Sequence, residues 1–173
     1  AVTAHCHCPL KMNNISLRRA TETDIPLIRQ MAERIWWEHY PSIISEDQIA
    51  FMLDLTYSDS ALKRQMEAEA QEFWLPIKNG QTLGFLAVSR KGEGDYFLHK
   101  FYLETRERGL GTIVFELLLA QYPGLRELRL RVNRRNFKSV NFYFKVGFRI
   151  EFCIDTPFGE DYVMDDFQMV FKV

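Results

Sequence analysis

The stretch RERGLGT, residues 106–112, sets two glycines one residue apart behind a mixed charged run. An aromatic run, DYFLHKFYL, precedes it and an apolar one, TIVFELLL, follows. At a turn from strand to helix, a loop without side chains exposes several backbone N–H groups at a helix N-terminus. Those donors and the helix dipole together favour a phosphate. Arg106 and Arg108 would add positive charge at the rim. Taken by itself a G-x-G is also what an ordinary surface turn contains. Further along, Asn136 and Tyr143 stand seven residues apart and so share one helix face. An asparagine there can cap its helix, and a tyrosine in FYF can be core or a proton donor. His99 lies on the aromatic strand with an unperturbed pKa of ~6.5. It can act as a base or simply pack. Trp36, Trp37, Glu38 and Tyr40 cluster near the end of a first helix, and Asp155, Glu160, Asp161, Asp165 and Asp166 crowd the C-terminal end. Aromatics with acids suit a cationic amine, although acids in a hairpin are commonly solvated.

The elements that must position these groups follow from periodicity. ISLRRAT alternates as a strand. TETDIPLIRQMAERIWWEHY carries cap residues, an early Pro26 and helical apolar spacing. SEDQIAFMLDLTY and SDSALKRQMEAEAQ read as two more helices. EFWLPIKNGQTLGFLAVSR reads as two strands about a KNGQ turn. A strand, GDYFLHKFYL, leads to the helix GTIVFELLLAQY, then the strand LRELRLRV. The helix NFKSVNFYFKV ends at Gly147. FRIEFCIDT and VMDDFQMVFKV close the chain as strands. This order predicts one α/β (α+β) domain over 14–173: a mixed, mostly antiparallel sheet of about seven strands with helices on both faces.

Composition agrees with one globular domain: 173 residues, 47% hydrophobic, 26% charged, formal net charge −1. Such a balance draws the protein toward neither nucleic acid nor an anionic membrane. No apolar run approaches the roughly 20 residues of a membrane helix. Three cysteines, two of them adjacent to histidines in AVTAHCHCPLK, outline no disulfide framework. The expectation is a cytoplasmic protein, without a metal, whose residues 1–13 are a flexible leader or a remnant of cloning.

The spacing R-x-x-G-x-G (Arg106, Gly109, Gly111) resembles the acyl-coenzyme A loop of the GNAT (GCN5-related) N-acetyltransferase superfamily. VNRRNFKSVNFYFKVGF resembles that family's second motif, V-N-x-x-N-x-x-A-x-x-F-Y-x-x-x-G-F, with Ser139 in the small-residue place. LRRATETDIPLI resembles its first strand and helix. WWEHYPSIISEDQIAFMLDLTYSDSAL is similar to a bacterial branch related to polyamine (spermidine/spermine) N-acetyltransferases. The resemblance spans about residues 14–173 in the element order above.

It implies a GNAT fold that moves acetyl from acetyl-coenzyme A to a primary amine in a ternary complex. The backbone of Phe101, Tyr102 and Leu103 would hold the pantetheine arm and polarise the thioester. Arg106, Arg108, Gly109, Leu110, Gly111 and Thr112 would hold the pyrophosphate, with Asn136 and Lys145 also on the cofactor. Tyr143 would be the acid to the leaving thiolate, and Trp36, Trp37, Glu38 and Tyr40 would line the acceptor pocket. Family members carry about two more residues before the arginine, so RGLGTI (108–113) is an alternative register. The family's strand glutamate falls on Phe97 here. The base is then His99, which by strand parity shares a face with Phe97, Phe101 and Leu103, or a water relay. The expected partner is a small amine, with a homodimer left open. A coenzyme A-binding regulatory module and a protein-amine acetylase are the alternatives. A P-loop is disfavoured, because no lysine follows Gly111 in the required spacing.

Overall fold

The computed structural model describes residues 14–105, 107–158 and 162–173. The N-terminal His/Cys segment, Arg106, Glu160 and Asp161 lie outside the described residues. The chain runs β1 (Ile15–Arg19), a 3-10 turn (Glu22–Asp24), α1 (Ile25–His39), α2 (Glu46–Tyr57), α3 (Asp59–Glu67) and β2 (Glu72–Lys78). It continues with β3 (Gln81–Thr82), β4 (Gly84–Arg90), β5 (Asp95–Leu103), α4 (Leu110–Leu119), β6 (Glu127–Asn133), α5 (Phe137–Lys145), β7 (Arg149–Phe158) and β8 (Tyr162–Lys172).

One mixed sheet results, in the order β1-β2-β4-β5-β6-β8-β7, with the two-residue β3 folded against β2. The pair β5–β6 is parallel and the other pairs are antiparallel. The expected seven strands are therefore the main path. β3 is an extra rung after the KNG turn, where Asn79 and Gly80 both take positive φ. No helix among the described residues is long and apolar enough to cross a membrane.

Helix starts are written in the sequence. Thr21 and Asp24 form a capping box, and Arg18 holds the Asp24 carboxylate at 2.7 Å. Pro26 sits in the first turn of α1, where its missing N–H costs nothing. Ser45 accepts from the Gln48 N–H at 3.2 Å to open α2.

Two cores lie on the two sheet faces. α1, α2 and α3 bury Ile28, Met31, Ile35, Ile49 and Leu62 against Phe73, Leu75, Phe85 and Ala87. On the other face α4 and α5 bury Leu110, Val114, Phe115, Leu118 and Val140 against Leu86, Val88, Leu98, Leu128 and Leu130. Strand alternation explains the division: Phe85 and Ala87 face one core, Leu86 and Val88 the other. Each fully buried side chain of this size contributes about 1.5–3 kcal/mol.

Candidate active site

The site begins with two irregularities in β5. Ala87 pairs with Lys100 while Val88 pairs with Leu98, so His99 is an extra residue, a β-bulge. Beyond it the strand faces are exchanged: Phe101 packs with α4 and α5, whereas Tyr102 packs with the α1–α3 core. The second irregularity is where pairing stops. β5 and β6 are joined from Asp95–Glu127 to Leu98–Leu130, yet they continue to Leu103 and Asn133. The strands splay, and the β6-facing main-chain groups of β5 after Leu98 border the gap.

Aromatic hydroxyls converge beside this gap. The Tyr40 and Tyr102 oxygens are 3.4 Å apart. Trp36 stacks on Tyr40 at 4.3 Å between ring centroids, and Tyr57 meets Trp36 edge-on at 5.8 Å. Tyr143 projects from α5, 8% exposed, with its ring against Phe142 and Phe148 and its hydroxyl within the electrostatic reach of Tyr40. Burial raises the pKa of Tyr40, Tyr57, Tyr102 and Tyr143 above the ordinary phenol value. All four are therefore neutral donors at working pH. Asn136 caps α5, accepting from the Ser139 N–H at 3.2 Å.

At the end of β5 the chain turns into α4. Gly109 is its N-cap at φ +83°, a left-handed conformation that glycine adopts without strain. A Cβ on Gly109 would meet no atom within 4 Å, whereas one on Gly111 would lie 2.9 Å from the Phe142 ring. So Gly109 shapes the turn and Gly111 lets α4 dock on α5. The N–H groups of the first helical turn, Gly111 and Thr112 among them, lack intrahelical acceptors. Arg108 is exposed beside them, as is Lys145 in the last turn of α5.

The sequence pattern of the GNAT acetyltransferase domain matches residues 42–162. The chain belongs to the GNAT acetyltransferase family. It is 26% identical over 163 residues to a spermidine N(1)-acetyltransferase of Thermoplasma acidophilum, covering 88% of this chain and 96% of that protein. Among solved structures it resembles the PaiA N-acetyltransferase of Thermoplasma acidophilum in complex with coenzyme A. That likeness has a TM-score of 0.73 and 25% identity over 92% of this chain and 99% of that one. A GCN5-related N-acetyltransferase from Rhodopseudomonas palustris shares the fold, with a TM-score of 0.76 at 16% identity over 95% and 99% of the two chains.

Within this GNAT domain the bulge corrects the strand-parity expectation for His99. That residue no longer shares a face with Phe101 and Leu103. Its Nε2 lies 2.7 Å from Ser89 Oγ. It lines a cleft of about 410 Å³ with Lys91, Phe97, Leu98 and Arg131, apart from the phenols. Burial, reinforced by the charges of Lys100 and Lys91, lowers its pKa to about 4. His99 is thus neutral and weakly basic. Of the four aromatic and acidic residues at the end of α1 and its C-cap, Trp36 and Tyr40 join the phenol cluster. Trp37 is 41% exposed, and Glu38 is also exposed, beyond the buried face.

Of the hairpin acids among the described residues, Asp155 and Asp165 are paired. Asp155 pairs with Arg134. Asp165 accepts from Asn133 Nδ2 at 2.8 Å and lies 3.7 Å from Arg135. Among the described residues no group of three or more His, Cys, Asp or Glu side chains is placed to hold a metal.

Two site residues escaped the sequence. Lys100 is 5% exposed and donates to Gln65 Oε1 at 2.6 Å and Gln71 Oε1 at 3.1 Å. Its ammonium lies 5.7 Å from the Tyr57 ring centre. Asn133, the first asparagine of VNRRN, ties β6 to β8 through Asp165 and accepts from the Arg135 N–H at 2.9 Å. No spacing announces Lys100. The doubled asparagine of VNRRN was the available signal for Asn133.

Proposed function

We propose that the protein transfers acetyl from acetyl-coenzyme A to the primary amine of a small molecule by direct attack in a ternary complex. The observation that carries this reading is the gap between β5 and β6, with a glycine-turned helix start at one end and four neutral phenols beside it. The residues present fit the donor. First-turn amides of α4 with Arg108 suit a pyrophosphate. Unpaired N–H and C=O groups along β5 suit an amide-containing arm. A β5 N–H aimed into the gap would polarise the thioester carbonyl as its oxygen gains charge. Tyr143, kept protonated by burial, would deliver its proton to the departing sulfur.

A cationic acceptor is the finer part of the proposal. It is supported by the likeness to a spermidine N(1)-acetyltransferase. A cleft of about 180 Å³ also carries Glu33 and Asp54 beside Tyr57, where Arg29, itself paired with Asp59, leaves both carboxylates exposed. The test is thiol release from acetyl-coenzyme A over polyamines, amino acids, aminoglycosides and peptides, alongside calorimetry of donor binding. Turnover with spermidine above that with neutral-bodied amines is expected, weakening with added salt. Donor binding without thiol release would leave a binding module, and absence of both would remove the acetyltransfer reading.

A further inference from the structure

The acceptor reaches the enzyme largely as an ammonium, which has no lone pair, so acetyl transfer needs a group that removes its proton. His99 is turned away and weakly basic. One carboxylate on the phenol side has no such commitment. Asp166 lies on β8 opposite Asn133 of β6 and Ile154 of β7. It is 7% exposed, and its Oδ1 is fully buried without a hydrogen-bond partner among the described residues. Its neighbour Asp165 is bound to Asn133 and Arg135, but Asp166 is not.

Alternation along β8 sends Phe167 and Met169 into the α4–α5 core and Met164 toward the α1–α3 core, so Asp166 faces the latter side. There its charge acts on Tyr40, the same phenol that contacts Tyr102 and acts on Tyr143. The acid therefore faces the side of the sheet that carries Tyr40, whose hydroxyl lies 3.4 Å from that of Tyr102.

We propose that Asp166 is the base that takes the proton from the acceptor ammonium; this rests on the acetyltransfer reading above. Its carboxylate accepts one proton from R–NH3+, leaving R–NH2 with a lone pair, and releases that proton to solvent. The nitrogen then forms the C–N bond and the C–S bond breaks. Sulfur takes the Tyr143 proton, the nitrogen's second proton passes to Asp166 and on to solvent, and the Tyr143 phenolate is reprotonated from solvent. The net release is one proton to solvent per acetyl transferred, and one ends on sulfur.

The groups facing the carboxyl oppose one another. Arg131 of β6 and Arg134 beyond it favour the charged form, whereas Asp165 on its own strand disfavours it. Arg134 is already paired with Asp155 and Arg131 is exposed. Burial is the largest influence, and the pKa rises to about 6. A carboxyl tuned there is ionised at neutral pH and more basic than an ordinary aspartate.

The test measures kcat/KM from pH 5 to 9 for the parent, Asp166→Asn and Asp166→Glu, using the amine that gives the fastest thiol release, with acetyl-coenzyme A affinity by calorimetry. The parent should rise about tenfold per pH unit below about 6, as a single ionisation requires, and then flatten. Asp166→Asn should bind the donor as the parent does, lose ~10²-fold or more in turnover and show no acidic limb. An Asp166→Asn enzyme within ~3-fold of the parent, with the same limb, overturns the assignment while leaving acetyl transfer intact. A parent that acetylates no amine overturns both. If Asp166→Asn melts early, Asp166→Glu decides: it should be slower yet keep the limb, and a limb-free Asp166→Glu overturns the assignment.

Discussion

The two faces of the sheet are built from different chemistry. The α4–α5 side is dry: Phe101, Phe115, Phe142, Phe148 and Phe171 interlock ring against ring. Every buried polar residue among those described, namely Gln48, Gln65, Gln71, Ser89, Lys100, Asn133 and Asp166, belongs by element or strand parity to the α1–α3 side. Tyr143 packs its ring on the dry side, yet its phenol feels the charge state of Tyr40 on the polar one. The dry face gives the gap rigid walls, because close packing resists deformation. The polar face carries costs of desolvation that only a reaction or a hydrogen-bond network explains.

The largest purely structural effect lies on the dry side. Phe148, 2% exposed, contacts Phe115, Tyr143 and Phe171. Phe148→Ala should cost about 3–5 kcal/mol, read as a loss of melting temperature on the order of 10 °C. A loss below about 1 kcal/mol would mean that this face tolerates cavities and is not the rigid wall described.

Tyr143→Phe probes the residue that spans both sides, since it removes one oxygen and keeps the ring. Donor affinity and melting temperature should stay near the parent values while kcat falls ~10²–10⁴-fold. A fall of less than ~10-fold in single-turnover measurements would make Tyr143 part of the dry core and nothing more.

The smallest effect concerns Lys100 and appears as a pH slope. Burial lowers its pKa from 10.5 to about 7, so between those values the unfolded chain holds a proton that the folded chain has shed. Stability should then rise with pH across that window, by at most about 1.4 kcal/mol per unit. Urea midpoints at pH 7, 8 and 9 should show this rise in the parent and a flatter line in Lys100→Met. Equal slopes would mean that Lys100 is not a buried ionisable group of the polar face.

How much of this was visible beforehand differs between the faces. Periodicity placed every helix and the seven main strands, because amphipathic stripes and caps are local properties: Ser45 before α2, Asn136 before α5, Gly147 after it. The glycine turn and Tyr143 were legible for the same reason. The bulge at His99 was not, since a one-residue insertion is decided by β4 pairing across the sheet and reverses every parity argument after it. The burial of Asp166 and Lys100 was equally hidden. A charged residue in a strand looks solvated until the covering helices are in place. Asp165 and Asp166 are indistinguishable in sequence, yet pairing registers give one to Asn133 and Arg135 and leave the other buried with its charge acting on Tyr40.

The parting of β5 from β6 has a consequence for divergence. Along that open edge the available groups are main-chain N–H and C=O, which every amino acid but proline supplies in full. Side chains at 99–103 can drift without deleting a donor there. Trp36, Tyr40, Tyr57 and Met164, by contrast, act through their side chains in the α1–α3 core, so changes there reshape that side of the sheet while the main-chain edge of β5 stays as it is.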